Sequence, residues 1–108
     1  MDIKTLCRES HQTSTDKGWW EKENSFGEQI SLMHSELSEA FEDHRNNHAI
    51  DEIYYKGDKP CGIPTELADV MIRIADNCQK YGIDLDEALK IKMAYNKTRP
   101  YKHGGKKL

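Results

Sequence analysis

Four acidic side chains form two pairs with the same spacing, and this spacing suits metal binding. Glu36 and Glu39 make a Glu-x-x-Glu pair, and Glu66 and Asp69 make a Glu-x-x-Asp pair. In a helix, such residues lie on nearly the same side, one turn apart, so each pair can bind one ion. Oxygen ligands without Cys or His favour a hard cation, Mg²⁺ or alternatively Mn²⁺. Because bound Mg²⁺ is commonly completed by substrate phosphates, the pairs predict phosphate chemistry.

Each pair also has an ordinary interpretation. Acids at this spacing are common on solvated helix faces, so a single pair predicts no site. The two pairs share their surroundings, because residues 35–40 read SELSEA and residues 65–70 read TELADV. This repetition favours the metal-binding interpretation only modestly. A di-iron carboxylate bundle would need a Glu-x-x-His repeat, which the chain lacks.

Capping signals and hydrophobic periodicity predict four helices that position these acids. They are residues 3–11, 25–47, 64–82 and 84–98. The second helix opens with a capping box formed by Ser25 and Glu28, and Asp84 opens a similar box before the fourth. Gly82 is a natural C-terminal cap for the third. We therefore expect an all-α chain.

Two irregular segments separate the predicted helices. A polar stretch, residues 12–25, lies between the first and second helices. A longer loop, residues 46–63, lies between the second and third, and Tyr54 and Tyr55 are expected to form a short extended turn within it. Loops of this length are often functional.

The apolar positions of the two acid-bearing helices predict which faces are buried. On the second helix the apolar stripe is Ile30, Met33, Leu37, Ala40 and Phe41. Glu36 borders this stripe, whereas Glu39 lies nearly opposite its centre, close to Leu32, which indicates a second packed surface formed by the third helix or a partner subunit. The third helix is apolar over most of its circumference, so we expect it to be mostly covered, with Glu66 and Asp69 beside the core.

Length and composition bound the class of protein. A chain of 108 residues is long enough for one domain, residues 1–108. Hydrophobic residues make up 36% and charged residues 32%, which is lean for a chain that folds alone, so we expect a homo-oligomer. The formal net charge of −3 argues against a general nucleic-acid binder.

Cysteine usage and hydropathy predict a cytoplasmic protein. The three cysteines, Cys7, Cys61 and Cys78, are odd in number and form no C-x-x-C pair, which is typical of reduced, structural thiols. No apolar run approaches the roughly 18 residues of a membrane span, and the N-terminus lacks the apolar stretch of a signal peptide. We expect no membrane partner.

Beyond the acid pairs, several longer stretches point to one family. They are GWW at 18–20, ELADVMIRI at 66–74, YGIDL at 81–85 and KMAYNKTRP at 92–100. Together with the order Glu-x-x-Glu, spacer, Glu-x-x-Asp, in which residues 40–65 form the spacer, they make the sequence from residue 18 onward resemble the MazG-like family of all-α NTP pyrophosphohydrolases.

The resemblance implies a fold and a reaction. The fold is of the four-helix-bundle type, assembled as a homodimer or as a dimer of dimers. Glu36, Glu39, Glu66 and Asp69 would bind Mg²⁺, which holds a nucleoside triphosphate. Water then attacks the α-phosphorus and releases a nucleoside monophosphate and pyrophosphate, an activity that clears unwanted nucleotides from the (deoxy)nucleotide pool. Glu39, or else Glu36, is the expected general base.

The resemblance also implies phosphate contacts from the fourth helix. Lys92 and Asn96 lie one turn apart on it, and Lys97 and Arg99 follow. Members of the family use a Lys and an Asn at these places to bind the phosphate chain. The basic tail, residues 100–108, either closes over the ligand or serves only as a solubilising end.

Three further residues have both a binding and a structural interpretation. Arg73 would contact phosphate or form a structural ion pair with Asp69 or Asp76. Trp19 and Trp20 would stack on the nucleobase or pack between helices.

Two other functions compete with the enzyme. A non-catalytic helical regulatory or interaction module would keep the fold without turnover, and the presence of all four acids counts against it. A histidine phosphotransfer bundle would use His34 or His44, but neither is flanked by the basic residue and glycine that such a site needs.

Overall fold

The structure is a computed structural model that describes residues 1–101. Its elements are α1 (Ile3–Asp16), α2 (Phe26–Arg45), β1 (Tyr54–Lys56), β2 (Lys59–Cys61), α3 (Ile63–Lys80) and α4 (Leu85–Thr98). The prediction of a mainly helical chain with four helices is confirmed, and the two-stranded sheet is an element that the all-α prediction lacked. Of the predicted basic tail, residues 102–108 lie outside the described part of the chain.

The first helix is longer than predicted. Its predicted end at His11 is wrong, because α1 continues to Asp16. The buried residues of α1 are Cys7, Ser10 and Ser14, spaced to lie along one face. Because two of these three are serines, the buried face of the last turns has no hydrophobic pattern, so the sequence predicts a polar loop there.

Local capping explains why the starts of α2 and α4 were predicted well. Ser25 Oγ accepts a hydrogen bond from the Glu28 backbone N–H at 3.1 Å, and the Glu28 carboxylate accepts one from the Ser25 backbone N–H at 3.1 Å. Asp84 accepts one from the Glu87 backbone N–H at 3.0 Å. These bonds satisfy amide groups that have no partner inside the helix.

A β-hairpin occupies part of the predicted loop between α2 and α3. Its strands pair antiparallel, with Lys56 opposite Lys59 across a turn made of Gly57 and Asp58. Gly57 has φ +62°, a conformation that glycine adopts without strain. The extended turn expected around Tyr54 is thus one strand of this hairpin.

The hairpin is fixed to α2 and to the start of α3. The Tyr54 hydroxyl donates to Asp43 Oδ1 on α2 at 2.9 Å, and the His48 ring stacks on Tyr54 with a centroid distance of 4.4 Å. Gly62, the N-cap residue of α3, has φ +119°, and a Cβ there would collide with the backbone carbonyl oxygen of Glu52. The chain therefore needs glycine where the hairpin joins α3.

Packing centres on α3, which contacts both α1 and α2, whereas α4 packs lightly against α1 and has no buried residue. The small core consists of Cys7, Ala75 and Cys78, with Ile3, Leu6, Ile74 and Leu85 around it. All three cysteines are free and buried, as predicted. Burial raises the pKa of the Cys7 and Cys78 thiols, which keeps them protonated.

Only part of the predicted buried stripe of α2 is buried. Of its members, Ala40 is buried and Met33 half-buried, whereas the exposed ones are Ile30, Leu37 and Phe41. The α2–α3 interface includes buried Gln29, whose side-chain oxygen accepts a hydrogen bond from Asn77 Nδ2 at 3.3 Å. Polar Gln29 is thus buried on α2, while three residues of its predicted apolar stripe face outward.

The third helix is also less covered than predicted. Leu67 and Met71, one turn apart, are 47% and 55% exposed. The Cα radius of gyration is 16.5 Å, whereas about 13 Å is expected for a compact domain of this length. A single chain therefore leaves apolar surface of α2 and α3 without a partner.

No helix among residues 1–101 combines the length and the apolar character needed to cross a membrane.

Candidate metal centre

Three of the four predicted acids meet where α2 packs on the first turn of α3. Glu36, Glu39 and Glu66 each bring one carboxylate oxygen into a group whose members lie within 4.8 Å of one another. The spacing of Glu36 and Glu39 puts both on one side of α2, and helix packing adds Glu66 from the other side. Glu39 remains exposed, although it belongs to this group. The burial of Glu39 by a second packed surface, expected from the third helix or a partner subunit, is therefore not provided by the described part of one chain.

Glu66 is the most perturbed of these acids. Its Oε2 atom is buried and has no hydrogen-bond partner. Burial is the largest cause of a rise in the pKa of Glu66 to about 8, and the neighbouring Glu36 and Glu39 supply the rest of that rise. An acid in this position either keeps its proton or requires a cation. The carboxylate oxygens and the unpartnered Oε2 atom together fit a divalent cation with a preference for oxygen ligands.

Asp69 lies at the edge of the group instead of within it. It is exposed and lines a neighbouring depression of about 330 Å³ together with Glu36 and Arg73. Burial raises the pKa of Asp69, with a further contribution from Glu36, while Arg73 and Lys59 oppose the rise. The expectation that both acids lie beside the core therefore fits half-buried Glu66, but it is wrong for exposed Asp69.

Arg73 forms a different ion pair from the two that were predicted. Its Nε donates to Glu36 Oε1 at 3.0 Å, and the Glu36 side chain is only 12% exposed. The predicted structural partners were Asp69 and Asp76. The cause is the packing of α2, which places Glu36 opposite Arg73 on α3, whereas Asp76 is held by residues of α1.

The two tryptophans have different surroundings. The Trp20 indole Nε1 donates to Ser14 Oγ at 2.8 Å and to Asp76 Oδ1 at 2.9 Å, and Asp76 also bonds His11 Nδ1 at 2.8 Å. Trp20 thus joins the N-terminal segment to α3. Trp19 is 63% exposed. It lines the depression of Asp69 and a neighbouring one of about 440 Å³, and both depressions also contain Arg73.

The predicted phosphate-binding residues of the fourth helix lie apart from the acids within one chain. Lys92, Asn96 and Lys97 are exposed on α4, and Arg99 follows at its C-cap. The Lys92 ammonium lies 5.2 Å from the centroid of the Tyr95 ring on the same helix. In the described part of the chain, neither depression that contains an acid of the quartet has a residue of α4 in its lining.

Two lysines that sequence reasoning missed lie beside the acids. Lys56 and Lys59 line a depression of about 210 Å³ that also contains Glu39 and Glu66. The only sequence signal for this arrangement is the segment KGDK at residues 56–59, which is typical of a tight turn between two strands. It indicates a hairpin, but not the direction in which the lysines point.

Comparisons with known proteins leave the family open. No protein-family model matches the chain, and neither the curated proteins nor the solved structures contain a match.

Proposed function

We propose that the protein is a Mg²⁺-dependent nucleoside triphosphate pyrophosphohydrolase of the MazG-like kind. It would hydrolyse (deoxy)nucleoside triphosphates to a nucleoside monophosphate and pyrophosphate by water attack at the α-phosphorus, as in housecleaning of the nucleotide pool. The observation that carries the proposal is the convergence of Glu36, Glu39 and Glu66, with one buried Glu66 oxygen that has no partner. Like charges gathered in this way are stable when a cation lies between them.

The acids of α2 and α3 are the proposed cation ligands. Glu36, Glu39 and Glu66 would hold Mg²⁺, or Mn²⁺ as the alternative, and Asp69 at the edge would complete the set. When bound, the ion supplies positive charge that neutralises phosphate oxygens and orients the pyrophosphate leaving group.

Among the acids, Glu39 is the proposed general base. Glu36 already accepts a hydrogen bond from Arg73, and its side chain is mostly buried. Glu39 is exposed at the rim of the depression, where a water molecule can approach it. A base must reach the attacking water before its basicity matters, so exposure favours Glu39.

The surroundings of the acids support roles for the other predicted contacts. Trp19 presents an exposed indole beside Arg73, so it is the proposed stacking surface for the base, while Trp20 is used in packing. Arg73 is within reach of both Glu36 and the depression, and its free guanidinium nitrogens can bind phosphate.

A second copy of the chain is the proposed partner, in a homodimer or a homotetramer. Exposed apolar residues on α2 and α3, Leu37, Phe41, Leu67 and Met71, and the large radius of gyration support this. In an assembly, Lys92 and Asn96 of one copy could lie beside the acid group of another copy. Within one chain this is prevented because α4 packs against α1. Leu37→Glu with Met71→Glu should reduce the mass measured by light scattering, whereas Ile50→Glu on the exposed loop should not.

The decisive test of the reaction is release of pyrophosphate from a panel of standard and modified (d)NTPs, with and without Mg²⁺. Glu66→Gln and Glu39→Gln should each abolish release, and Glu9→Gln on α1 is the matched control with an exposed glutamate outside the acid group. Silence across the whole panel, or full activity of Glu66→Gln, contradicts the enzyme and leaves a helical regulatory or interaction module.

A further inference from the structure

The hairpin presents two lysines on the side that faces α2. Lys56 and Lys59 are directly opposite each other in the antiparallel register, so their side chains are on the same face. Side chains two positions apart in a strand also share a face, which places Lys56 with Tyr54. The Tyr54 hydroxyl bonds Asp43 of α2. The lysines are therefore on the same side as the contact with α2.

That side of the hairpin borders the acid group. Lys56 and Lys59 line the same depression as Glu39 and Glu66. Lys59 is also close enough to Asp69 to oppose the rise of its pKa. The cavity is thus lined by two lysines and by four acids, Glu39, Glu42, Asp43 and Glu66. A metal-bound polyanion needs this combination, since the acids bind the cation and the lysines bind phosphate oxygens that the cation leaves free.

Within the described part of the chain, the two lysines lie beside acids but form no ion pair with them. Like charges directly opposite in a hairpin destabilise it. Of the acids of α2 that line this depression, Asp43 accepts the hydrogen bond from Tyr54. An anion between the two ammonium groups would remove their repulsion.

The backbone that carries the lysines is held in place. Tyr54 is stacked on His48 and bonded to α2, and Gly62 is pressed against the backbone of Glu52 at the end of the hairpin. The ammonium groups therefore extend from a fixed support, which lowers the conformational cost of binding.

We propose that Lys56 and Lys59 bind the terminal phosphates of the triphosphate, the part that leaves as pyrophosphate. This inference rests on the proposed function for the identity of the ligand, but its geometry predicts a polyphosphate site by itself. The chemical class recognised is a linear polyphosphate complexed with a divalent cation, and the base and sugar take no part in this contact.

The test measures binding of inorganic tripolyphosphate by calorimetry at a fixed excess of Mg²⁺. The double variant Lys56→Gln, Lys59→Gln should bind at least about tenfold more weakly, since each lysine removes a charge-assisted contact. The arginine pair Lys56→Arg, Lys59→Arg should keep most of the affinity. Lys4→Gln, an exposed lysine near the opposite end of α3 beside Gln79 and Ile83, is the matched control and should bind like wild type.

Titration with Mg²⁺ alone distinguishes lysines that bind phosphate from lysines that only offset the negative charge of the acids. If the lysines only offset the acids, the double glutamine variant should bind Mg²⁺ more tightly and tripolyphosphate no more weakly than wild type, and that result overturns the proposal. An unchanged affinity within about twofold, an equal loss in Lys4→Gln, or absence of tripolyphosphate binding by the wild type also overturns it.

The outcomes also distinguish this inference from the proposed function. If the wild type releases no pyrophosphate from any nucleotide, yet binds tripolyphosphate through the two lysines, the enzyme proposal fails and the polyphosphate site stands. If the wild type is active and the lysine variants bind normally, only the site fails.

Discussion

Arg73 on α3 donates a hydrogen bond to Glu36 on α2 at 3.0 Å, and this contact fixes the two acid-bearing helices against each other. The Glu36 side chain is 12% exposed and that of Arg73 is 37% exposed. The pair thus combines a mostly buried acceptor with a donor that still reaches solvent. Asn77 bonds Gln29 one turn further along α3, so two polar contacts join α2 to α3.

A double-mutant cycle of Arg73→Gln and Glu36→Gln should give a coupling energy of about 1–2 kcal/mol, because loss of Arg73 leaves a mostly buried carboxylate without its donor. The measurement is urea unfolding of the four proteins in metal-free buffer. The pair of Arg45 and Glu42 is the control, since its side chains are 64% and 59% exposed and 3.6 Å apart. It should give about 0–0.5 kcal/mol. Equal coupling in both cycles would contradict the structural importance of the Arg73 contact.

Glu66 should make stability depend on pH in the absence of metal. Its folded-state pKa of about 8 is above the ordinary value of 4.5. The folded state therefore binds the proton more tightly, and the stability that this gives is fully present below the ordinary pKa and is lost as pH rises through about 8. Gln cannot ionise at this position. The free energy of unfolding of Glu66→Gln should therefore equal that of the wild type at about pH 4.5 and exceed it by about 1 kcal/mol or more at about pH 8.5.

Thermal unfolding in EDTA at several pH values measures this difference. The control Glu9→Gln should follow the wild type throughout. Excess Mg²⁺ should reverse the order at high pH, because it stabilises the ionised acids of the wild type and has weaker ligands in the variant. A wild type whose stability stays flat between these pH values argues against a protonated Glu66.

Gly62→Ala should destabilise the fold by about 1–3 kcal/mol, because a Cβ at φ +119° is strained and meets the carbonyl oxygen of Glu52. Gly57→Ala is the control, since it also has positive φ but has nothing within 4 Å of its Cβ. It should lose only about 1 kcal/mol. Denaturant unfolding measures the stability of both variants. A larger loss of stability in Gly57→Ala than in Gly62→Ala would contradict the close approach of Gly62 to the Glu52 carbonyl. Mg²⁺ affinity should fall in Gly62→Ala, because Glu66 N–H bonds the Gly62 carbonyl.

The tryptophans should separate stability from activity. Trp20→Phe removes a hydrogen bond to Asp76 and Ser14 while keeping an aromatic ring, so it should lower the free energy of unfolding by about 1–2 kcal/mol. Trp19→Ala should change stability by less than about 0.5 kcal/mol, because its indole is 63% exposed. If Trp19 stacks on the base, its loss should raise KM for nucleotides and leave tripolyphosphate affinity unchanged. A larger loss of stability in Trp19→Ala than in Trp20→Phe would contradict the assignment of Trp20 to packing.

Local sequence determined the elements whose signals span a few residues. The capping bonds of Ser25 and Asp84 form between groups three residues apart, so the starts of α2 and α4 follow from the sequence. The same holds for the end of α3 near Gly82. The end of α1 does not follow from local sequence, because its last turns are held by the hydrogen bond from Ser14 to Asp76, two residues far apart in the chain.

The sequence also determined which acids are able to meet, because the spacing of Glu36 and Glu39 fixes their common side of α2. Only the tertiary structure decided that Glu66 joins them closely while Asp69 stays at the edge, and that Lys59 lies near both. The reason is that helix periodicity fixes directions within one element, whereas the rotation of α2 on α3 depends on contacts across their interface. In the folded chain Ile30, Leu37 and Phe41 of the apolar stripe are exposed while Gln29 is buried, and no pattern within a single helix contains that information.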